Sequence, residues 1–385
     1  MTLTEPSALI GRPIPDLPTP AVLIDLPTLR RNIDQMAGVA RGFDVALRPH
    51  WKTSKSAEVA RLQLEAGAVG LTAATAAEVD ALVAAGIEDI FWAYPPVGPH
   101  RIETALRAAR SARLIIGLDD LAAAQPLAAA ATAEGVEIEV RLEVDTGLGR
   151  TGVAPEQALT TARDLAALPG IVLEGVFTHE GHVQGVGADP ERRVEVGTAA
   201  GEMLTQVAAQ LRADGLELPS VSVGSTAGAR SAPGVAGVTE ARPGTYVYGD
   251  ENQVAIGTVD PADTAMTVLS RVISTQRGDP VLIDAGLKAM SSDASMHGDG
   301  RIGTVVPDLA GIEQSGQEQD APEQGGVLAA GNEEHGYLRG SSSLQVGDLL
   351  HLRPNHACGL TNMHSRLFAV EDGVVVDIWP VLGRH

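Results

Sequence analysis

The chain has 385 residues, of which 44% are hydrophobic and 3% aromatic, and a formal charge of −21 without any basic run. This supports a sizeable aliphatic core in two domains, or in one large barrel with an appendage, and argues against a nucleic-acid backbone or an anionic membrane as partner. The N-terminus, Met1-Thr2-Leu3-Thr4-Glu5-Pro6, lacks the basic-then-apolar order of a signal peptide, no apolar run approaches the ~20 residues of a membrane span, and the single cysteine, Cys358, fits a reducing cytoplasm.

In chain order, residues 1–25 read as an N-terminal segment whose Pro-Ala-Val-Leu-Ile-Asp run, 20–25, forms a strand able to pair with a C-terminal sheet. Eight short β-rich runs follow: Val45–Pro49, Gly70–Ala73, Ile90–Tyr94, Arg113–Leu118, Glu137–Val144, Ile171–Thr178, Ser220–Val223 and Thr245–Tyr248. Helical patterns lie between most of them: Ser56–Ala66, Ala76–Ala85, His100–Ala112, Ala122–Glu134, Pro155–Leu168 and Val196–Asp214. Gly67, Gly86, Gly135 and Gly215 stand where helices would end. Strict β–α alternation over eight strands predicts a (β/α)8 TIM-like barrel over 26–262. A doubly wound open sheet is the competitor, but no Gly-x-Gly-x-x-Gly follows the first strand. From 263 to 385 helical periodicity fades, and a mainly β-domain is predicted, with strands Met266–Ser274, Pro280–Asp284, Gly303–Pro307, Leu349–Arg353, Arg366–Val370 and Val374–Pro380. Residues 313–326, polar with Gly and Pro, read as an exposed, mobile loop.

The chain holds only three lysines against 25 arginines, and two of the three fall in Arg48-Pro49-His50-Trp51-Lys52-Thr53-Ser54-Lys55. Arginine replaces lysine as a solvated charge but cannot form an imine at neutral pH. Lys52, at the C-terminal end of the first barrel strand, is therefore the candidate nucleophile or base; two surface lysines surviving by chance is the plainer alternative. Gly224-Ser225-Thr226 after strand seven, and Arg242-Pro243-Gly244-Thr245-Tyr246 beside strand eight, offer amides and hydroxyls for a phosphate. An amine at strand one with phosphate loops at strands seven and eight suggests pyridoxal 5′-phosphate (PLP). His179, in Thr178-His179-Glu180-Gly181-His182, could stack on a cofactor ring or move protons, or be a rim histidine bonded to its neighbours.

In Asn355-His356-Ala357-Cys358, residues 356 and 358 would share one face of a strand, so that imidazole and thiolate converge on a borderline cation such as Zn²⁺. Two ligands are fewer than a usual catalytic zinc site has. Glu333-Glu334-His335 could add a third, or be a solvated turn.

Together these residues resemble the fold-type III PLP enzymes, which include alanine racemases, D-threonine aldolases and eukaryotic-type D-serine dehydratases. Arg48-Pro49-His50-Trp51-Lys52-Thr53 is similar to the family's lysine motif, and Asp145 to Val153, with Arg150, is similar to its Asp-x-Gly-x-x-Arg-x-Gly segment. Val223-Gly224-Ser225-Thr226 looks like its phosphate loop. Arg242-Pro243-Gly244 resembles the segment whose arginine approaches the pyridine nitrogen and whose glycine lies near phosphate. Asp284 to Ala289, Glu334-His335-Gly336 and Pro354 to Cys358 look like the aldolase/dehydratase branch. Ser54 stands where that branch often has histidine, and Trp51 is larger than the usual valine.

The resemblance implies a TIM-like barrel with a β-domain, a homodimer, a small D-amino acid substrate, PLP on Lys52, and Zn²⁺ (or Mn²⁺ or another divalent cation) on His356 and Cys358. His-x-Cys matches the dehydratases, and His-x-Asp the aldolases. The reaction expected is removal of water from a D-3-hydroxy amino acid of the D-serine, D-threonine or 3-hydroxyaspartate type, giving a 2-oxo acid and ammonia. The alternative is a metal-dependent D-threonine-type aldolase, with His179 or His182 as base, giving glycine and an aldehyde. A racemase is less favoured, since no C-terminal Tyr base motif is evident. A non-catalytic PLP carrier would need neither the second domain nor the metal pair.

Overall fold

A computed structural model describes residues 6–306 and 326–384. The chain divides into two compact units, residues up to Asn32 with Thr245–Val381, and Ile33–Gly244 with Leu382–His385.

In sequence, strand β1 (Ala21–Asp25) and the helix Leu26–Gly42 come first. The second unit then holds β2 (Ala46–Leu47), β3 (Leu71–Ala73), β4 (Asp89–Trp92), β5 (Arg113–Leu118), β6 (Ile138–Glu143), β7 (Ile171–Phe177), β8 (Ser220–Val223) and β9 (Glu240–Ala241). They form one eight-stranded sheet in the order β2-β9-β8-β7-β6-β5-β4-β3, with every pairing parallel. His50, beyond β2, bridges to Thr72 of β3, and Trp51 N–H donates to the Thr72 carbonyl at 2.8 Å. That bridge joins the two ends of the sheet, which makes it a (β/α)8 barrel rather than an open sheet. Connecting helices start on side-chain caps: Ser56 accepts from Val59 N–H, Thr75 from Glu78 N–H and Asp189 from Arg192 N–H. Each such cap stabilises its helix by about 1 kcal/mol. Gly135 ends the helix Leu121–Glu134 at φ +65, where a side chain would be strained.

The eighth barrel strand is Glu240–Ala241, not Thr245–Tyr248. Thr245–Val247 is a 3-10 turn, whose carbonyl at Thr245 accepts from Tyr248 N–H (3.2 Å) and Gly249 N–H (2.8 Å). The Thr-Tyr-Val-Tyr run carries β-propensity, but its backbone bonds are spent locally. The true strand gives no apolar signal because Glu240 faces inward. There its carboxylate takes Arg48 Nε at 2.7 Å, Ser222 Oγ at 2.6 Å, and Arg141, which also pairs with Glu174. Arg48 reaches on to Asp89 at 2.6 Å. Burial opposes ionisation of Glu240, yet Arg141 and Arg48 hold its carboxyl far below the usual range.

The other unit is a nine-stranded sheet of β1 with β10 (Met266–Ser274), β11 (Val281–Ile283), β12 (Gly303–Val306), β13 (Val327–Gly331), β14 (Gly336–Arg339), β15 (Leu349–Pro354), β16 (Arg366–Glu371) and β17 (Val374–Pro380). Its order is β11-β14-β13-β12-β15-β10-β1-β16-β17, with β11 also paired to β10. Only β1–β16 is parallel; the rest is antiparallel. Strands β13 and β14 were not legible in the sequence, since Val-Leu-Ala-Ala-Gly and Gly-Tyr-Leu-Arg are short and Gly-bearing. Of the segment 313–326 read as an exposed loop, 313–325 lies outside the described residues, as do Pro307 and residues 1–5, whereas Gly326 is buried just before β13. Among the described residues, no helix is long and apolar enough to cross a membrane.

Candidate active site

Five residues of the barrel rim share one electrostatic neighbourhood. Lys52 is half-buried in the turn after the β2–β3 closure, behind the fully buried Trp51. Its positive charge, with those of Arg242 and Arg150, acts on both His50 and His179. Burial comes first and these cations second, and together they push the His50 imidazole well below its ordinary value and that of His179 to about 3. Both rings are therefore neutral at physiological pH. His179 Nδ1 bonds the carbonyl of Gly224, which puts the proton on Nδ1 and leaves Nε2 as an acceptor.

Arg242 is buried at 4% exposure. Its Nε donates to Ser222 Oγ at 2.7 Å and an Nη donates to the Thr178 carbonyl, while the guanidinium lies 5.2 Å from the Phe177 ring centroid and 5.3 Å from that of Phe91. Burial pushes it down to about 10 against the pull of Glu240, so it stays charged at neutral pH. Gly224 is in close contact with it: a Cβ there would come within 2.8 Å of Arg242 Cβ. A Cβ on Gly244 would meet Thr53 Oγ1 at 3.0 Å and His50 Cβ at 3.1 Å. At both glycines of the loops read as phosphate loops the backbone is thus packed too closely on its neighbours for a side chain. Ser225 and Thr226 are half-buried beside them, while Thr245 and Tyr246 continue directly from Gly244. Three cations, two neutral imidazoles and two glycine-lined loops suit a planar anion with a phosphate, so the residues fit PLP.

His182 packs its ring on Gly147, with Nε2 3.2 Å from where a Cβ of that residue (φ +130) would sit, and among the described residues its buried Nδ1 has no hydrogen-bond partner. Lys55 has a different role from Lys52. It is buried at φ +46, its Nζ donates to Glu78 at 2.7 Å and to the Gly383 carbonyl at 2.8 Å, and Leu382 N–H donates back to the Lys55 carbonyl at 2.8 Å.

In the other unit, His356 and Cys358 are not on a strand. His356 is the N-cap of the helix Ala357–Met363, and Cys358 lies in its first turn. β15 ends at Pro354, and the Asn355 amide donates to the carbonyls of Asp293 (2.8 Å) and Arg301 (2.7 Å), turning the chain out of the sheet. The two side chains still meet. Cys358, then Asp250, hold the imidazolium form of His356 and push it up to about 11 against burial. Asp250, fully buried, accepts from His356 Nδ1 at 2.9 Å and from Ala357 N–H at 3.1 Å. A carboxylate behind one ring nitrogen with a thiol at the same imidazole fits a borderline divalent cation. The Glu333-Glu334-His335 segment is an exposed turn in which Glu334 pairs with Lys288 at 2.6 Å. Among the described residues, no three His, Cys, Asp or Glu side chains converge as a metal cage, so the pair stands as two protein donors.

His50, Glu180 and Asp250 escaped the sequence reading. His50 and Glu180 sit inside motifs whose other members carried the signal. Asp250 lies 106 residues from His356 and nothing in the chain announces the pairing.

Residues 24–252 match the family model described as "Alanine racemase, N-terminal domain", and residues 265–370 match "Putative serine dehydratase domain". D-threo-3-hydroxyaspartate dehydratase of Delftia sp. (strain HT23) is 38% identical over 89% of this chain and 91% of its own length. D-threonine aldolase of Arthrobacter sp. is 32% identical over 98% of this chain and 96% of its own. A solved cysteine-to-alanine mutant of D-threo-3-hydroxyaspartate dehydratase, in the metal-free form, superimposes with a TM-score of 0.87 at 35% identity, covering 96% of this chain and 99% of that one.

Proposed function

From the premise that this chain belongs to the fold-type III PLP-dependent family, in its branch of D-hydroxy amino acid lyases, we propose that it is a dehydratase converting a D-3-hydroxy amino acid to a 2-oxo acid and ammonia. The observation that carries this reading is the thiol of Cys358 against the His356 ring, the donor pair of the dehydratase pattern, braced by Asp250.

Bound through Lys52, PLP supplies an electron sink for negative charge at the substrate α-carbon. A divalent cation on His356 and Cys358, zinc by the chemistry of its donors, supplies Lewis acidity for departure of the β-hydroxyl. The chain's own residues do the rest. Freed once the substrate amine has taken its place on the coenzyme, the Lys52 amine would remove the α-proton. Arg242, charged and fixed by Ser222 and Thr178, disfavours a second positive charge on the pyridine nitrogen. A sink weakened in this way makes help for the leaving hydroxyl necessary, which is the role given to the metal pair. His179, neutral with its proton on Nδ1, offers Nε2 as an acceptor without adding charge. Asp250 keeps His356 in one tautomer and orientation. One water leaves in the elimination and one is consumed as ammonia is released, so the overall reaction is balanced without an oxidant. Within this reading the protein works in the cytoplasm as a homodimer.

The aldolase reading is favoured by one feature: among the described residues the buried Nδ1 of His182 has no hydrogen-bond partner, so no structural bond holds the ring at that nitrogen and His182 is a candidate base. Product analysis separates the two: D-serine, D-threonine, D-3-phenylserine and D-3-hydroxyaspartate are each incubated with PLP- and zinc-loaded protein. Keto acid and ammonia are expected. Glycine with an aldehyde would replace the dehydratase reading with the aldolase.

A further inference from the structure

We propose that Glu180 is the positioning residue of the phosphate loop, and that Ser225 is a strut on Glu180 rather than a donor to phosphate. Glu180 is 1% exposed. Its Oε2 accepts from Gly224 N–H at 2.8 Å, and its Oε1 accepts from Ser225 Oγ at 2.9 Å. Ser225 Oγ in turn accepts from Gly228 N–H at 2.9 Å. A serine hydroxyl has one proton, and here that proton is committed to a carboxylate. A phosphate dianion offers only acceptors, so Ser225 would have to break the Glu180 bond to reach it. The turn is closed tightly on the carboxylate: a Cβ on Gly228 would stand 2.7 Å from Glu180 Oε1 and 3.0 Å from Ser225 Oγ. Gly224 is gripped from both ends, its amide by Glu180 and its carbonyl by His179. Consecutive residues after β7 thereby set the loop after β8.

This rests on the PLP reading above and makes a prediction of opposite sign to simple electrostatics. A carboxylate beneath a phosphate site repels the phosphate, so by charge alone Glu180→Ala should tighten PLP. As a brace, its loss should loosen the loop and weaken PLP by about tenfold or more, the worth of a hydrogen bond to a charged group. The experiment titrates PLP-free protein with PLP and with pyridoxal, which lacks the phosphate, for wild type, Glu180→Ala, Ser225→Ala and the double variant. We expect each single variant to weaken PLP but not pyridoxal, and Ser225→Ala to cost nothing further once Glu180 is gone. Full additivity would make Ser225 a direct phosphate donor and overturn the proposal, as would unchanged or tighter PLP binding in Glu180→Ala. Equal losses for PLP and pyridoxal would reduce Glu180 to general stability. Should Glu180→Ala not fold, hydrogen exchange in PLP-free Ser225→Ala still decides. The strut predicts faster exchange at Gly228, and unchanged protection there contradicts it. Wild-type protein that takes up no PLP would sink the cofactor reading itself, a result distinct from wild type binding PLP while Glu180→Ala binds it as well.

Discussion

The Asp250 carboxylate lies 2.9 Å from Nδ1 of His356, and the same oxygen accepts the Ala357 amide. One buried side chain thus fixes both the ring and the start of the helix that carries Cys358. Asp250 also caps its own helix by accepting from Gln253 N–H at 2.8 Å. Asp250→Asn is therefore expected to lower metal affinity by about 10- to 100-fold, read by competition with a chromogenic chelator. Unchanged affinity would dissociate Asp250 from the metal.

Cys358→Ala should lose the metal and turnover together while PLP uptake stays at the wild-type level. Metal content by elemental analysis and the PLP absorbance of the same sample test both halves at once. A metal stoichiometry equal to wild type removes Cys358 as a ligand.

Lys52→Ala should take up PLP without a covalent link. Borohydride reduction followed by peptide mapping marks Lys52 in the wild type and nothing in the variant. A label on Lys55 in either protein would contradict the assignment of Lys55 to the buried pair with Glu78.

The His179 imidazole, held to about 3 by burial and by Lys52, Arg150 and Arg242, titrates near 6.5 once the chain unfolds. Its folded value is the lower one. Between roughly pH 6.5 and 3 the unfolded chain therefore binds the extra proton, and stability falls as pH falls, by up to about 1.4 kcal/mol per pH unit for this group. His50 shifts in the same direction. PLP-free His179→Asn should show a shallower loss of denaturation midpoint between pH 6.5 and 5 than the wild type, the remaining slope belonging to His50 and other groups. Identical pH slopes would reject the buried neutral ring.

Glu240→Gln leaves Arg48 and Arg141 in the barrel without their shared anion. Breaking a buried pair of this kind costs about 3–5 kcal/mol. Urea unfolding should register it as a lower midpoint at constant m-value. A loss under about 1 kcal/mol would mean that water or Asp89 and Glu174 compensate.

The barrel was legible because β–α alternation leaves a mark in spacing, and the family because its motifs stand in the chain. Glu240–Ala241 was not, since a strand whose inward residue is charged breaks the apolar pattern that identifies strands. The meeting of His356 and Cys358 was foreseen for the wrong reason. A strand would have aligned residues two apart, whereas the actual chain turns at Asn355 and brings them together across a helix start. Glu180 stood in plain view between two histidines, but its partners lie some forty residues on, and only folding reveals a carboxylate under the loop at Gly224.

The seat of Gly383 on Lys55 has a practical side. Residues that pull on Gly383 would pull on a backbone carbonyl bonded to Lys55, three positions along the chain from Lys52. Kinetic constants from a preparation tagged behind Leu382 and Gly383 should therefore be compared with those after tag removal.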